Sequence, residues 1–133
     1  MKQEDKELLL RDLCARLPYG AKCNVGEETP CTLSRIEVDN VNGHLLDFAE
    51  TKDGLDMQVY LSEVKPYLFP LSSMTEEQRK EYNSLRSIGV DECGDITCFD
   101  TFESVDWCNK NHFDYRGLIP MRLAIDATGL NIY

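Results

Sequence analysis

The amino-acid sequence predicts a single α+β domain over residues 1–133. We expect an N-terminal helix, a small antiparallel sheet of about four or five strands, and two later helices packed on that sheet. Three observations predict this fold class. The N-terminus has one apolar helical face, positions 21 to 64 alternate strand-like segments with turn residues, and two helix-capping patterns follow in the C-terminal half. A chain of this length can bury a core without a disulfide or a metal.

The first helix is predicted over positions 4 to 17, "EDKELLLRDLCARL". Its apolar face consists of residues at steps of four and their neighbours, namely Leu9, Leu13, Leu17, Leu10 and Cys14. We expect the helix to end at Pro18, because proline has no backbone N–H and its ring clashes with the preceding turn.

The sheet is predicted from four short strand-like segments, "AKCNV", "CTLSRIEV", "HLLDFAE" and "LDMQVYLSEV". The segments "DNVNG" at 39–43 and "TKDG" at 51–54 supply the Asn, Asp and Gly that tight turns favour. Short strands joined by tight turns indicate antiparallel pairing. The pattern is compatible both with an open sheet and with a barrel-like one.

The stretch "KPYLFPLSSMTEEQRKEYNSLR" begins at Lys65 and joins the sheet to the second helix. Because proline cannot donate a ladder hydrogen bond, we expect the strand around Pro66 and Pro70 to fray or to lie at a sheet edge. Thr75 and Gln78 form a capping-box pattern that begins the second helix. Helical spacing extends this helix through Tyr82, Leu85 and Ile88, with Gly89 as its terminator.

Positions 90–100 read as a loop with a short strand at Ile96–Phe99. A second capping pattern, Asp100 with Glu103, predicts a third helix that ends near His112. The segment "MRLAIDA" in the C-terminal tail is a further strand candidate for the sheet.

Charge and composition limit the classes of function. The formal net charge of -10 opposes binding to nucleic-acid phosphates or to anionic membranes. The N-terminal apolar run is too short for an export signal, and no window is apolar enough to span a bilayer. We therefore expect a cytoplasmic protein whose six cysteines are reduced thiols.

Two groups of residues have chemical potential. Cys93, Cys98, Cys108 and His112 have the spacing C-x4-C-x9-C-x3-H, which is near that of structural zinc sites, although buried cysteines are often only small apolar residues. The "HFDYRG" cluster, with His112, Asp114, Tyr115 and Arg116, could bind a carboxylate or phosphate through its arginine and aromatic rings. Its alternative role is to anchor a turn. No catalytic signature and no cofactor motif occurs in the sequence, so no cofactor is predicted.

The acids are unevenly distributed. Between Ser87 and Asn109 six acids occur without any Lys or Arg, and we call this stretch the acidic segment: Asp91, Glu92, Asp95, Asp100, Glu103 and Asp106. Positions 36–64 carry seven acids against Lys52 alone. Such stretches could form a negative face for a basic protein partner, or they could simply be solvated.

The runs "KPYLFPLSSMTEEQRKEYNSLR" and "VDWCNKNHFDYRGLIPMRLAIDATGLNIY" resemble segments of small proteins of gut Bacteroidales and of their phages and prophages. In that group, which has no known activity, runs such as PYLRPLSSMTEEE and HFDYRGLI recur. Phe69 stands here where the group has an arginine. The resemblance implies a phage accessory role, such as interference with host defence by binding a host protein.

The sequence therefore predicts a non-enzymatic cytoplasmic binding protein with either a protein partner or a small-molecule ligand. One alternative is a nucleotide-like sequestering protein with a pocket near "HFDYRG". Another is a structural zinc protein or a cryptic hydrolase, which would need His112 or His44 close to a thiol or a carboxylate. The sequence leaves the oligomeric state open.

Overall fold

The computed structural model describes residues 2–26, 29–38, 44–49 and 57–133. The helices in these ranges are α1 (Gln3–Arg16), α2 (Glu76–Leu85) and α3 (Phe102–Lys110). The strands are β1 (Lys22–Asn24), β2 (Cys31–Glu37), β3 (Leu45–Ala49), β4 (Met57–Tyr60), β5 (Lys65–Pro70), β6 (Ser87–Val90), β7 (Ile96–Phe99), β8 (Phe113–Asp114) and β9 (Ile125–Asp126). The predicted α+β class is confirmed. None of the described helices has the length and apolar character that crossing a membrane requires.

Seven strands form one open sheet in the order β4-β3-β2-β1-β5-β8, with β9 also paired to β5. The first five strands pair antiparallel, as predicted, but β8 and β9 pair parallel to β5. The sheet is therefore mixed and is not a barrel. The parallel pairs arise because the chain returns to β5 through a crossover that contains helices, and not through a tight turn. The turns predicted at 39–43 and 51–54 lie outside the described residues.

Strand β5 lies inside the sheet, so the prediction that its prolines place it at an edge is wrong. Its first residues pair with β1, its middle with β9 and its end with β8. At this end the Phe69 N–H donates to the His112 carbonyl oxygen at 2.8 Å, and the Leu68 carbonyl oxygen accepts from the Ala127 N–H at 2.8 Å. These ladder bonds do not require an N–H from either proline.

The main core lies between α1 and the sheet. Its fully buried side chains include Leu9, Leu13, Leu46, Phe48, Leu68 and Leu118. A second, smaller core under α2 and α3 contains Met74, Tyr82, Trp107, Cys108 and Phe113. The Trp107 ring stacks between Tyr82 and Phe113, with ring centroids 5.6 and 5.4 Å away.

The predicted apolar face of α1 is only partly correct. Leu9 and Leu13 are fully buried, but Cys14 is exposed, whereas the charged residues Asp12 and Arg16 are 0% exposed. The helix ends at Arg16, and Pro18 lies in the 3₁₀ turn Leu17–Tyr19 that follows.

The two later helices differ from prediction at their ends. Thr75 and Gln78 form the expected capping box of α2, but α2 ends at Leu85, and Ile88 and Gly89 belong to β6. Helix α3 is capped by Thr101, whose side chain accepts from the Ser104 N–H at 3.1 Å. The predicted Asp100–Glu103 box is therefore wrong by one residue. Thr101 takes the N-cap position, and the Asp100 carboxylate accepts from the hydroxyls of Tyr82 and Ser104.

Candidate functional site

The "HFDYRG" segment takes part in a buried ionic network that was not predicted from the sequence. Arg16 donates from Nε to Asp12 Oδ2 at 2.8 Å and from its terminal nitrogens to the carbonyl oxygens of Phe113 and Cys108, at 2.6 and 3.4 Å. Arg116 Nε lies 3.3 Å from the other Asp12 oxygen. Burial raises the pKa of Asp12, and the two arginines oppose this shift. The network joins α1 to α3, to β8 and to Arg116 just after β8.

Three of the four predicted ligand-binding residues have internal partners. The Asp114 carboxylate accepts from the backbone N–H groups of Leu118 and Ile119, at 2.9 and 2.8 Å. Arg116 donates to the Tyr115 hydroxyl at 3.0 Å, and the Tyr115 ring lies within 5.4 Å of the Arg16 guanidinium. These contacts organise the segment itself, as the turn-anchoring alternative expects.

His112 belongs to a different environment from the other three residues. It adopts a φ of 64°, and its ring stacks on Tyr133 with a centroid distance of 3.6 Å. Burial, together with the positive charges of Arg16 and Lys22, lowers the pKa of His112 to about 4. No described residue gives its Nδ1 a hydrogen bond. Ligand binding by His112, Asp114, Tyr115 and Arg116 stays a prediction.

The cysteine spacing does not produce a zinc site. Cys93 is exposed on the turn before β7, and Cys98 is exposed on β7. Cys108, in contrast, is buried in α3. Within the described ranges no three His, Cys, Asp or Glu side chains come together as metal ligands. Burial also raises the pKa of the Cys108 thiol to about 11, which keeps it in the protonated, weakly nucleophilic form. This thiol therefore gives no support to the cryptic-hydrolase alternative.

A β-hairpin of β6 and β7 is the most unusual surface of the molecule. It forms a separate two-stranded sheet in which Ile88 lies opposite Cys98 and Val90 opposite Ile96. Because side chains alternate along a strand, these four residues share one face, which we call the hairpin face. It is uncovered: Ile88 is 76% exposed, Val90 66% and Ile96 80%. Strand β6 was not predicted from the sequence, and this face was therefore not predicted either.

A further exposed apolar residue lies at the start of α3, three residues after the end of β7. Phe102, the first residue of α3, is 91% exposed. It lines a shallow cavity of about 470 Å³ together with Asp100, Thr101, Glu103 and Val105. A surface phenylalanine beside a concave apolar site is typical of the anchors and pockets of protein interfaces.

The acidic segment contains this apolar surface. Asp91, Glu92 and Asp95 are exposed at the hairpin turn, and Glu103 and Asp106 are exposed on α3. The bases that flank the acidic segment are Arg86 and Lys110, and Arg86 lies 3.3 Å from Asp100 Oδ1 with its own side chain only 25% exposed. Exposed apolar residues and exposed acids therefore occur together in this part of the chain.

Polar contacts fix the base of the hairpin to α2 and α3. Asp100 Oδ1 accepts from the Tyr82 hydroxyl at 2.5 Å and from the Ser104 hydroxyl at 3.1 Å. The Thr101 hydroxyl donates to the Leu85 carbonyl oxygen at 2.6 Å. Burial and the bond to Asp100 raise the pKa of Tyr82 well above its usual value, so the hydroxyl remains a donor. These contacts attach the base of the hairpin to α2 and α3, although the hairpin face itself is exposed.

Comparison of the chain with protein-family models, with curated proteins and with solved structures found no match.

Proposed function

We propose that this chain is a non-enzymatic binding protein that takes a protein partner on the hairpin face and Phe102. The observation that carries the proposal is the coincidence of an uncovered apolar face with the acidic segment. Exposed apolar patches beside polar residues mark sites of interaction with other proteins. The acids of the acidic segment favour a partner whose contact surface combines apolar and basic residues.

The resemblance to proteins of Bacteroidales phages and prophages adds a setting to this proposal. In that setting the partner is a host protein, and the binding interferes with host defence. A cytoplasmic location is part of the same proposal.

The proposal is tested with a photo-crosslinking amino acid at Phe102 in an extract of a gut Bacteroidales host. The crosslinked protein is identified, purified and titrated with the unmodified chain. The double variant Ile88→Thr/Ile96→Thr keeps β-branched side chains but removes the apolar surface. We expect it to weaken binding at least tenfold, and we expect added salt to weaken binding as well.

Val38→Thr is the matched control, because Val38 is also an exposed β-branched apolar residue but follows β2, outside the hairpin. It should leave the affinity unchanged. An affinity that the double variant does not alter would overturn the proposal.

The small-molecule alternative at "HFDYRG" is the weaker candidate, because Asp114, Tyr115 and Arg116 already have partners within the protein. Its test is the double variant Tyr115→Ala/Arg116→Ala. If every ligand-binding signal survives those substitutions, the pocket at this cluster is disproved.

A further inference from the structure

The backbone of the hairpin indicates how a partner would be held, an inference that rests on the proposed function. In antiparallel pairs, opposite residues alternate between those that bond to each other and those that direct their N–H and C=O groups outward. The Asp91 N–H donates to the Asp95 carbonyl oxygen at 2.9 Å, so this pair is hydrogen-bonded. Because the two kinds of pair alternate along the hairpin, Gly89 and Thr97 also bond to each other. The pairs Ile88–Cys98 and Val90–Ile96 direct their backbone groups outward.

The outward-pointing residues are the same four that form the hairpin face: Ile88, Val90, Ile96 and Cys98. Each therefore presents an apolar side chain to the face and backbone groups to a sheet edge. The two edges differ. On the β7 edge the Arg86 guanidinium donates to the Cys98 carbonyl oxygen at 3.2 Å, which occupies an acceptor there.

The β6 edge is the open one. No other described strand pairs with β6 on that side. Its Ile88 and Val90 offer two N–H donors and two C=O acceptors in a row, which is a template for a further strand. A two-stranded hairpin is marginal by itself, and a third strand supplies the cooperative pairing that it lacks.

We infer that the partner contributes an extended segment that pairs with β6 as a third strand. Its apolar residues lie beside Ile88 and Val90, and its basic residues face the acidic segment. Charge argues against a second copy of this chain as the occupant, because two acidic segments would face each other without a single base between Ser87 and Asn109. The occupant is therefore a basic, extended segment of another protein.

The probe for this inference is a short synthetic peptide of alternating valine and lysine. On binding, the amide hydrogens of Ile88 and Val90 should exchange at least tenfold more slowly, since they become hydrogen-bonded. The Gly89 and Thr97 amides, which already bond to each other, should change much less. N-methylation of alternate peptide amides should abolish binding when the methyl groups lie on the pairing edge, and should spare it when they lie on the opposite edge.

The matched variants are Val90→Pro and Val90→Ile. Proline removes an outward N–H that the hairpin ladder does not use, and edge strands accept proline at such positions, so the fold should persist. Val90→Pro should weaken peptide binding at least tenfold, whereas Val90→Ile, which keeps the N–H and the apolar side chain, should not. If Val90→Pro disturbs the hairpin, the N-methylated peptides provide the same test on the unaltered protein.

The outcomes separate this inference from the proposed function. A peptide that binds, is weakened by Ile88→Thr/Ile96→Thr, and leaves the Ile88 and Val90 amides unprotected overturns strand addition but leaves binding at the face intact. A peptide that does not bind also overturns the inference. Insensitivity of the crosslinked host protein to the double variant overturns the proposed function itself.

Discussion

The seven-stranded sheet and the β6–β7 hairpin use the same kinds of residue with opposite results. In the sheet Leu46, Phe48 and Leu68 are fully buried beneath α1 and its neighbours. In the hairpin Ile88 and Ile96 are more than three-quarters exposed, at 76% and 80%. Both regions consist of paired strands rich in apolar residues. Only the sheet has another layer of the same chain to cover it, and this difference makes the hairpin a candidate interface.

Charged residues also differ between the two regions: some are buried on the sheet side, whereas those of the hairpin turn are exposed. The sheet side of the molecule buries Asp12 and Arg16 completely. The hairpin leaves Asp91, Glu92 and Asp95 in water. Charge is thus used for internal organisation in one region and is available to a partner in the other. Four predictions sharpen this comparison, beginning with the largest expected effect.

Arg16→Met should lower the free energy of unfolding by about 3–5 kcal/mol, because it leaves the buried Asp12 carboxylate without its closest cation. It also removes the donors to the Phe113 and Cys108 carbonyl oxygens. Urea unfolding measures the change. Arg11→Met, at an exposed position of the same helix, is the control and should cost little. Equal losses in the two variants would contradict the role given to the buried network.

Leu68→Ala should lower the free energy of unfolding by about 2–5 kcal/mol, the usual range for truncating a fully buried leucine side chain. Ile96→Ala should change stability by no more than about 0.5 kcal/mol, because its side chain is already exposed. Thermal or urea unfolding of the two variants side by side checks both values. A large loss in Ile96→Ala would show that the hairpin face is covered in the folded protein, and the proposed interface would be wrong.

Asp100→Ala should lower the free energy of unfolding by about 1–3 kcal/mol, because the buried Tyr82 hydroxyl loses its hydrogen-bond acceptor. The loss should be concentrated in the hairpin, so the amides of β6 and β7 should exchange faster than those of the sheet. Glu92→Ala removes the same charge from the hairpin turn and serves as the control, with a change within about 0.5 kcal/mol. Uniform loss of protection across the whole protein would contradict a local anchoring role.

His112→Asn should flatten the dependence of stability on pH in mildly acidic solution. The ordinary pKa of 6.5 falls to about 4 in the folded protein, so between these values the unfolded chain binds the proton and the folded chain does not. Stability therefore falls as the pH is lowered through this window. Asparagine does not titrate and tolerates the positive φ of this position. Urea unfolding at pH 6.5 and pH 5 measures the slope, and an unchanged slope in the variant would refute this assignment.

The sequence by itself determined the elements whose signals are local. The Thr75–Gln78 capping box and the first strands of the sheet were predicted because their contacts join residues close along the chain. The same local spacing was misleading at Ile88, three residues after Leu85, where it continued the helical period across a strand. The candidate site was only half predicted: the acidic segment was recognised, and the hairpin face within it was not.

Tertiary structure alone decided which surfaces are covered. Arg16 is buried because it bonds to the Phe113 carbonyl oxygen, 97 residues away along the chain. Strand β5 is central because β8 and β9 return to it from the C-terminal region. The hairpin face is bare because no described layer of the protein lies over it. Periodicity reports the interactions of a residue with its near neighbours, whereas burial depends on segments that are remote in sequence and close in space.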